Sequence, residues 1–168
     1  GEVVGKDCDF PKNMGIIIET PGFIPYYSGY KNLKLLADLN KKADKDKIRD
    51  TMKKVGLDPD LKRHVRKYSL GMRQRLGLAQ AIMEDPEILI LDDASSALDY
   101  KTDALLRIAL AKELPETTVV TVAQRVSAIK DCDLILVLED GEVIGKGTHE
   151  ELLRDCAEYR EISESQMG

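Results

Sequence analysis

A chain of 168 residues with 43% hydrophobic and 33% charged side chains fits one domain with a substantial core. No apolar run approaches the roughly 20 residues of a membrane-spanning helix, and no secretory signal opens the chain, so a membrane role would come through a partner. The formal charge of −5 argues against nonspecific nucleic-acid binding, and no nucleic-acid partner is expected.

In chain order, residues 1–18 read as strand, turn, strand. Pro11-Lys12-Asn13-Met14 forms the break, and Gly15-Ile16-Ile17-Ile18 a buried strand. Two prolines and a glycine make Thr20–Pro25 a loop. Ser28 is placed to cap a helix carrying Leu33, Leu36 and Ala37 on one face. A second helix is predicted from about Asp44, with Ile48, Met52 and Val55 at helical spacing and Gly56 as its stop. After Ser69 and Gly71, the residues Met72, Leu76, Ala79 and Met83 form an apolar helical stripe.

Pro86 then precedes Ile88-Leu89-Ile90-Leu91, which has the length and branched content of a fully buried parallel strand. A helix over about Lys101–Leu114 leads to a strand at Thr117–Val122, and a short helix from Val126 to a strand at Leu134–Glu139. Asp140-Gly141 is a hairpin turn into Glu142–Gly145. Thr148-His149-Glu150-Glu151 is a capping box opening a helix with Leu152 and Leu153. Strands alternating with helices over short links define an α/β fold with a mostly parallel sheet.

Cys8, Cys132 and Cys156 are odd in number and lack CxxC spacing, which suits reduced cytosolic thiols better than disulfides or zinc. His64 and His149 lack metal spacing. The basic run Lys62-Arg63-His64-Val65-Arg66-Lys67 is either a solvated helix face or a contact for an anion or partner.

The chemistry concentrates between Tyr68 and Asp99. Tyr68-Ser69-Leu70-Gly71-Met72-Arg73-Gln74-Arg75 places a serine hydroxyl and a glycine amide at a helix N-terminus, where free N–H groups and the helix dipole favour anions. Asp92 and Asp93 end the apolar strand at its carboxyl edge, where open α/β sheets place ligands. Ser96-Ala97-Leu98-Asp99 follows. Taken as a set, this order resembles the ATP-binding cassette (ABC) ATPases, over nearly the whole chain from Gly1 to Gln166.

The resemblance implies a P-loop NTPase (RecA-like) fold: a core of residues 1–19 and 86–168 with a helical subdomain over about 20–85, including the signature motif. It implies ATP and Mg²⁺ as cofactors, with Ser69, Gly71, Met72 and Gln74 as the signature that holds the ATP of an opposite cassette. Leu70 and Met72 depart from the usual Leu-Ser-Gly-Gly-Gln. Asp92 takes the place of the magnesium-supporting Walker B aspartate. Asp93 stands where the family has a water-polarising glutamate one methylene longer, and Asp99 lies in the partner-contacting D-loop. Glu19 sits at the Q-loop position, which senses Mg²⁺ and faces the transport domain. Gln124, in Thr121-Val122-Ala123-Gln124-Arg125, replaces the switch histidine and cannot titrate near neutral pH.

The pair Asp93 and Gln124 resembles the degenerate cassette of heterodimeric ABC exporters. Residues 15–91 look more like the cassettes of drug- or peptide-resistance systems, and residues 92–168 like exporter cassettes, as a natural or engineered fusion would. The phosphate-cradling motif Gly, four residues, Gly-Lys-Ser/Thr is met only by Gly1-Glu2-Val3-Val4-Gly5-Lys6-Asp7, one residue short and with an acid in place of the hydroxyl. The sequence thus reads as a cassette without its P-loop region, with little ATPase activity alone. Its parent would lie at the cytoplasmic face of a membrane with a second cassette and a transmembrane transport subunit as partners. The alternatives are a noncatalytic interaction module and a cytosolic ABC-type ATPase not coupled to transport.

Overall fold

In a computed structural model the strand Met14–Ile18 (β1) is the first regular element. The described residues are 5–7, 11, 13–18, 21–92, 104, 107, 108, 110–112 and 114–167. They fall into two compact units divided between Val122 and Ala123.

In the first unit, β1 lies parallel to Ile88–Asp92 (β2), which lies parallel to Thr118–Val122 (β3), in the order β1-β2-β3. Between β1 and β2 run three helices, Gly29–Asn40 (α1), Lys45–Lys54 (α2) and Leu70–Ile82 (α3). Each begins where a side chain satisfies an orphan first-turn amide. Ser28 accepts from Lys31 N, Asp44 from Lys47 N and Ser69 from Met72 N. The left-handed Gly56, at φ 72°, follows the end of α2, as the sequence predicts.

The core of this unit joins sheet to helices. Leu33, Ile48, Met52, Leu76, Leu78 and Leu89 are each under 2% exposed, and Ala79 and Met83 are also buried. α3 packs closely on β1: a Cβ added to Gly15 would overlap the Ala81 carbonyl. The prediction of fully buried strands holds for one face only. Ile17, Leu89 and Leu91 are buried, whereas Ile16 and Ile18 are 42% and 59% exposed. The basic run contributes a single turn of 3-10 helix, Val65–Lys67, in which Val65 alone is buried and its charged neighbours face solvent. Helical backbone recurs at residues 104, 107, 108 and 110–112, and Leu110 joins the core.

The second unit is built on the antiparallel pair Ile135–Glu139 (β4) and Glu142–Gly147 (β5). Its turn has φ 49° at Asp140 and 85° at Gly141, the two positive values a type I′ hairpin needs. Thr148 and Glu151 close the expected capping box at the start of His149–Asp155 (α4). The chain then breaks at Cys156, whose backbone is extended, and resumes as Ala157–Met167 (α5), a helix the sequence pattern did not separate from α4. Val126, Ile135, Val137, Leu152, Cys156 and Tyr159 form a second, smaller core.

Candidate functional site

The signature segment is shaped from below by Tyr68. Its ring is buried at 4% exposure, and its hydroxyl accepts a hydrogen bond of 3.2 Å from Gly29 N at the start of α1. The backbone carbonyl of Tyr68 accepts from Arg73 Nη1 at 3.1 Å. Arg75 reaches back to Gly71 O at 3.3 Å and across to Gly56 O at 3.0 Å, tying the end of α2 to α3. Both arginines thus donate to backbone carbonyls around the start of α3.

With Tyr68 fixed, Ser69 projects at the N-terminus of α3. Its extended backbone (φ −63°, ψ 163°) and its Oγ, 3.2 Å from Met72 N, are those of an N-cap. Ser69 and Leu70 are exposed, Gly71 and Met72 half-buried and Gln74 buried. The first two carry the exposed edge of the motif, while Gln74 is 4% exposed. Amides of the first turn have no carbonyl four residues behind them, so this end offers N–H groups and positive dipole to an anion.

The loop before α1 is held as firmly. Asn32 is 4% exposed and accepts from Ile24 N at 2.8 Å while donating to the carbonyls of Ile24 and Ser28. Pro21 lies on α3 at Gly77, where an added Cβ would overlap its ring. The chain leaving β1 is thus seated on the same helix that carries the signature.

At the other edge of the sheet, register aligns Ile18, Asp92 and Val122 across the three strands, so all three carboxyl ends finish level. Asp92 is half-buried there, supported by the fully buried Leu89 and by Leu91. Its hard carboxylate oxygens suit Mg²⁺, which is commonly held by one or two carboxylates together with substrate phosphates. Among the described residues no group of three or more His, Cys, Asp or Glu gathers into an all-protein metal cage. Asp92 is one carboxylate of the kind such an ion uses.

Gln124 belongs to the second unit and is exposed. Its backbone carbonyl accepts from Gln166 Nε2 at 2.8 Å, and Gln166 Oε1 accepts from Val126 N at 2.9 Å. Glu19, Asp93 and Asp99 lie outside the described residues. The structure thus groups Ser69, Gly71, Met72 and Gln74 on α3 and sets Asp92 at the sheet edge. The supports supplied by Tyr68 and Gln166 span 39 and 42 residues and that of Asn32 eight, and the sequence pattern did not point to them. Only Gln166 left a trace, sharing a helical face with Tyr159 and Ser163 at i, i+4 and i+7.

A parallel sheet whose strands end level, with a strand-end aspartate and a capped, glycine-containing helix start, defines an α/β nucleotide-binding fold of the P-loop NTPase class. The sequence profile described as ABC transporter matches residues 3–96, and the chain belongs to that family and carries the fold of its ATP-binding cassette. It is 39% identical over 145 residues to an uncharacterized ABC transporter ATP-binding protein of Bacillus subtilis, YybJ, covering 85% of this chain and 66% of YybJ. It is 42% identical over 100 residues to ABC transporter B family member 21 of Arabidopsis thaliana, covering 60% of this chain and 8% of that protein. A solved bacterial Atm1-family ABC exporter with ATP bound superposes with a TM-score of 0.77 and 27% identity, over 92% of this chain and 28% of the exporter. The chain spans about two thirds of YybJ and under half (46%) of a second B. subtilis relative, YdbJ. Among the described residues no helix is long and apolar enough to cross a membrane.

Proposed function

We propose that this chain serves a membrane transporter as an ATP-binding cassette, working at the inner face of the membrane against a second cassette and coupling ATP binding and hydrolysis to solute export. The carrying observation is the capped start of α3, with Ser69 exposed and Gly71 half-buried, whose N–H groups and dipole suit an anion such as phosphate. Export as the direction draws on the likeness to the Atm1-family exporter and to the B family member. The motifs along the chain divide the labour: Ser69 and Gly71 serve ATP seated on the opposite cassette, with Met72 and Gln74 shaping that helix, and Asp92 supports Mg²⁺. Bound Mg²⁺ supplies charge neutralisation on the phosphates.

By the motif positions they match, this reading assigns Glu19 to the transport subunit, Asp99 to the opposite cassette, and Asp93 and Gln124 to the attacking water and γ-phosphate. A carboxylate one methylene short and an amide in place of imidazole make this a slow site, since about 1 Å of misplacement can cost ~100-fold. We further propose that the chain alone turns over little ATP, for want of a phosphate cradle and its lysine. We also propose a mixed origin on the motifs alone, with residues 15–91 of a drug- or peptide-resistance type and residues 92–168 of an exporter type.

The deciding experiment mixes the chain with a complete exporter cassette and measures ATP-dependent association and the partner's turnover. Ser69→Arg places a bulky cation where phosphate would sit and should abolish both, while Ser69→Thr, which keeps the cap, should preserve them. Association and turnover indifferent to Ser69→Arg would remove the signature's role in trans.

A further inference from the structure

α5 ends against the segment that carries Gln124, and Gln166 supplies two hydrogen bonds to it. Tyr159 and Ser163 are 3% and 0% exposed, so the face they share is buried within the second unit. Helix α5 packs on the short 3-10 turn Val126–Ala128, and the small Ser163 leaves room for close approach. Gln166 lies on the same face one turn further. Its amide bridges the chain on both sides of Arg125: Nε2 donates to Gln124 O at 2.8 Å and Oε1 accepts from Val126 N at 2.9 Å. One donor and one acceptor on a single planar group fix both the direction and the spacing of the backbone they grip.

Such a grip does chemistry only if the gripped residue does. Gln124 keeps its side chain exposed while its carbonyl is held, so the clamp constrains the backbone and leaves the side-chain amide available. The next residue pinned is Val126, itself 5% exposed and part of the small core. The clamp thus ties Gln124 to a rigid anchor two residues on. We infer that Gln166 is a positioning residue for the switch segment: it makes the end of α5 set where Gln124 is delivered. This rests on the reading of Gln124 as the switch residue.

Two substitutions separate the halves of the clamp. Gln166→Met keeps length and loses both bonds, whereas Gln166→Glu keeps the acceptor for Val126 N and loses the donor to Gln124 O. In the chain as it stands, amide exchange at Val126 should quicken about tenfold in Gln166→Met and little in Gln166→Glu. Amides of β4 should keep their protection in both. In a chain joined to a P-loop segment, Gln166→Met should lower kcat about tenfold with KM for ATP unchanged, and should add nothing to a Gln124→Ala background. Unchanged exchange at Val126, or equal loss of protection throughout β4 and α4, overturns the inference alone. A response at Val126 with turnover indifferent to Gln124→Ala overturns the switch reading and the inference with it.

Discussion

The two compact units are held by different means. The first unites three helices and a sheet around Leu33, Ile48, Met52, Leu76 and Leu89, all but excluded from water. The second has a core of six buried residues and relies on placed hydrogen bonds: the Thr148–Glu151 capping box, the Gln166 clamp, and His149 Nδ1 to Tyr159 OH at 2.8 Å. A small unit buries a smaller fraction of its surface, so each polar contact carries a larger share of its order. The first unit carries the signature helix and Asp92, whose geometry must not drift. The second carries Gln124 on a segment whose shape depends on a few separable bonds.

The comparison also holds within one sheet. β2 and β3 are both rich in branched aliphatics, yet Leu89 in β2 is 0% exposed while Val119, Val120 and Val122 in β3 are 42%, 46% and 54% exposed. β2 is paired on both sides, and β3, among the described residues, on one.

The largest effect expected follows from that contrast. Leu89→Ala should cost about 2–5 kcal/mol, the lost transfer energy plus the cavity left in the first core. Val120→Ala in β3 should cost ~0.5 kcal/mol or less, because little of the side chain leaves water on folding. Denaturant midpoints at unchanged slope would measure both. Equal losses would mean that β3 is as buried as β2 in solution.

A smaller effect tests the second unit. Thr148→Ala removes one side of the capping box and should cost about 1 kcal/mol, read as loss of amide protection in α4 and β5. No change in protection there, or loss extending through α1 to α3, would undo the division into two differently stabilised units.

The smallest is a pH effect at Tyr159. Burial chiefly, with Cys132 and Glu150 adding, raises its hydroxyl above the ordinary 10.0. Because the folded value is the higher one, this contribution is complete below 10.0 and is lost as pH rises past it. Tyr159→Phe should flatten that alkaline decline in protection of α5. A decline unaltered by the substitution would assign it to another group.

Local chemistry was legible because each device closes within a few residues. Ser28 and Thr148 cap where the sequence places them, the helices expected near Asp44 and Ser69 start there, and Asp140-Gly141 turns the hairpin. The signature and strand-end aspartate were legible too, since motif spacing encodes a helix start and a strand end directly. Tertiary structure alone decided that β1 buries Ile17 and exposes Ile16 and Ile18, and that β3 stays open while β2 is covered. It alone joined Tyr68 to Gly29, and Gln166 to Gln124 and Val126. The reason is separation along the chain. A cap is selected by neighbours whose geometry the helix already fixes, whereas a bond spanning 42 residues exists only once packing has brought its two ends together.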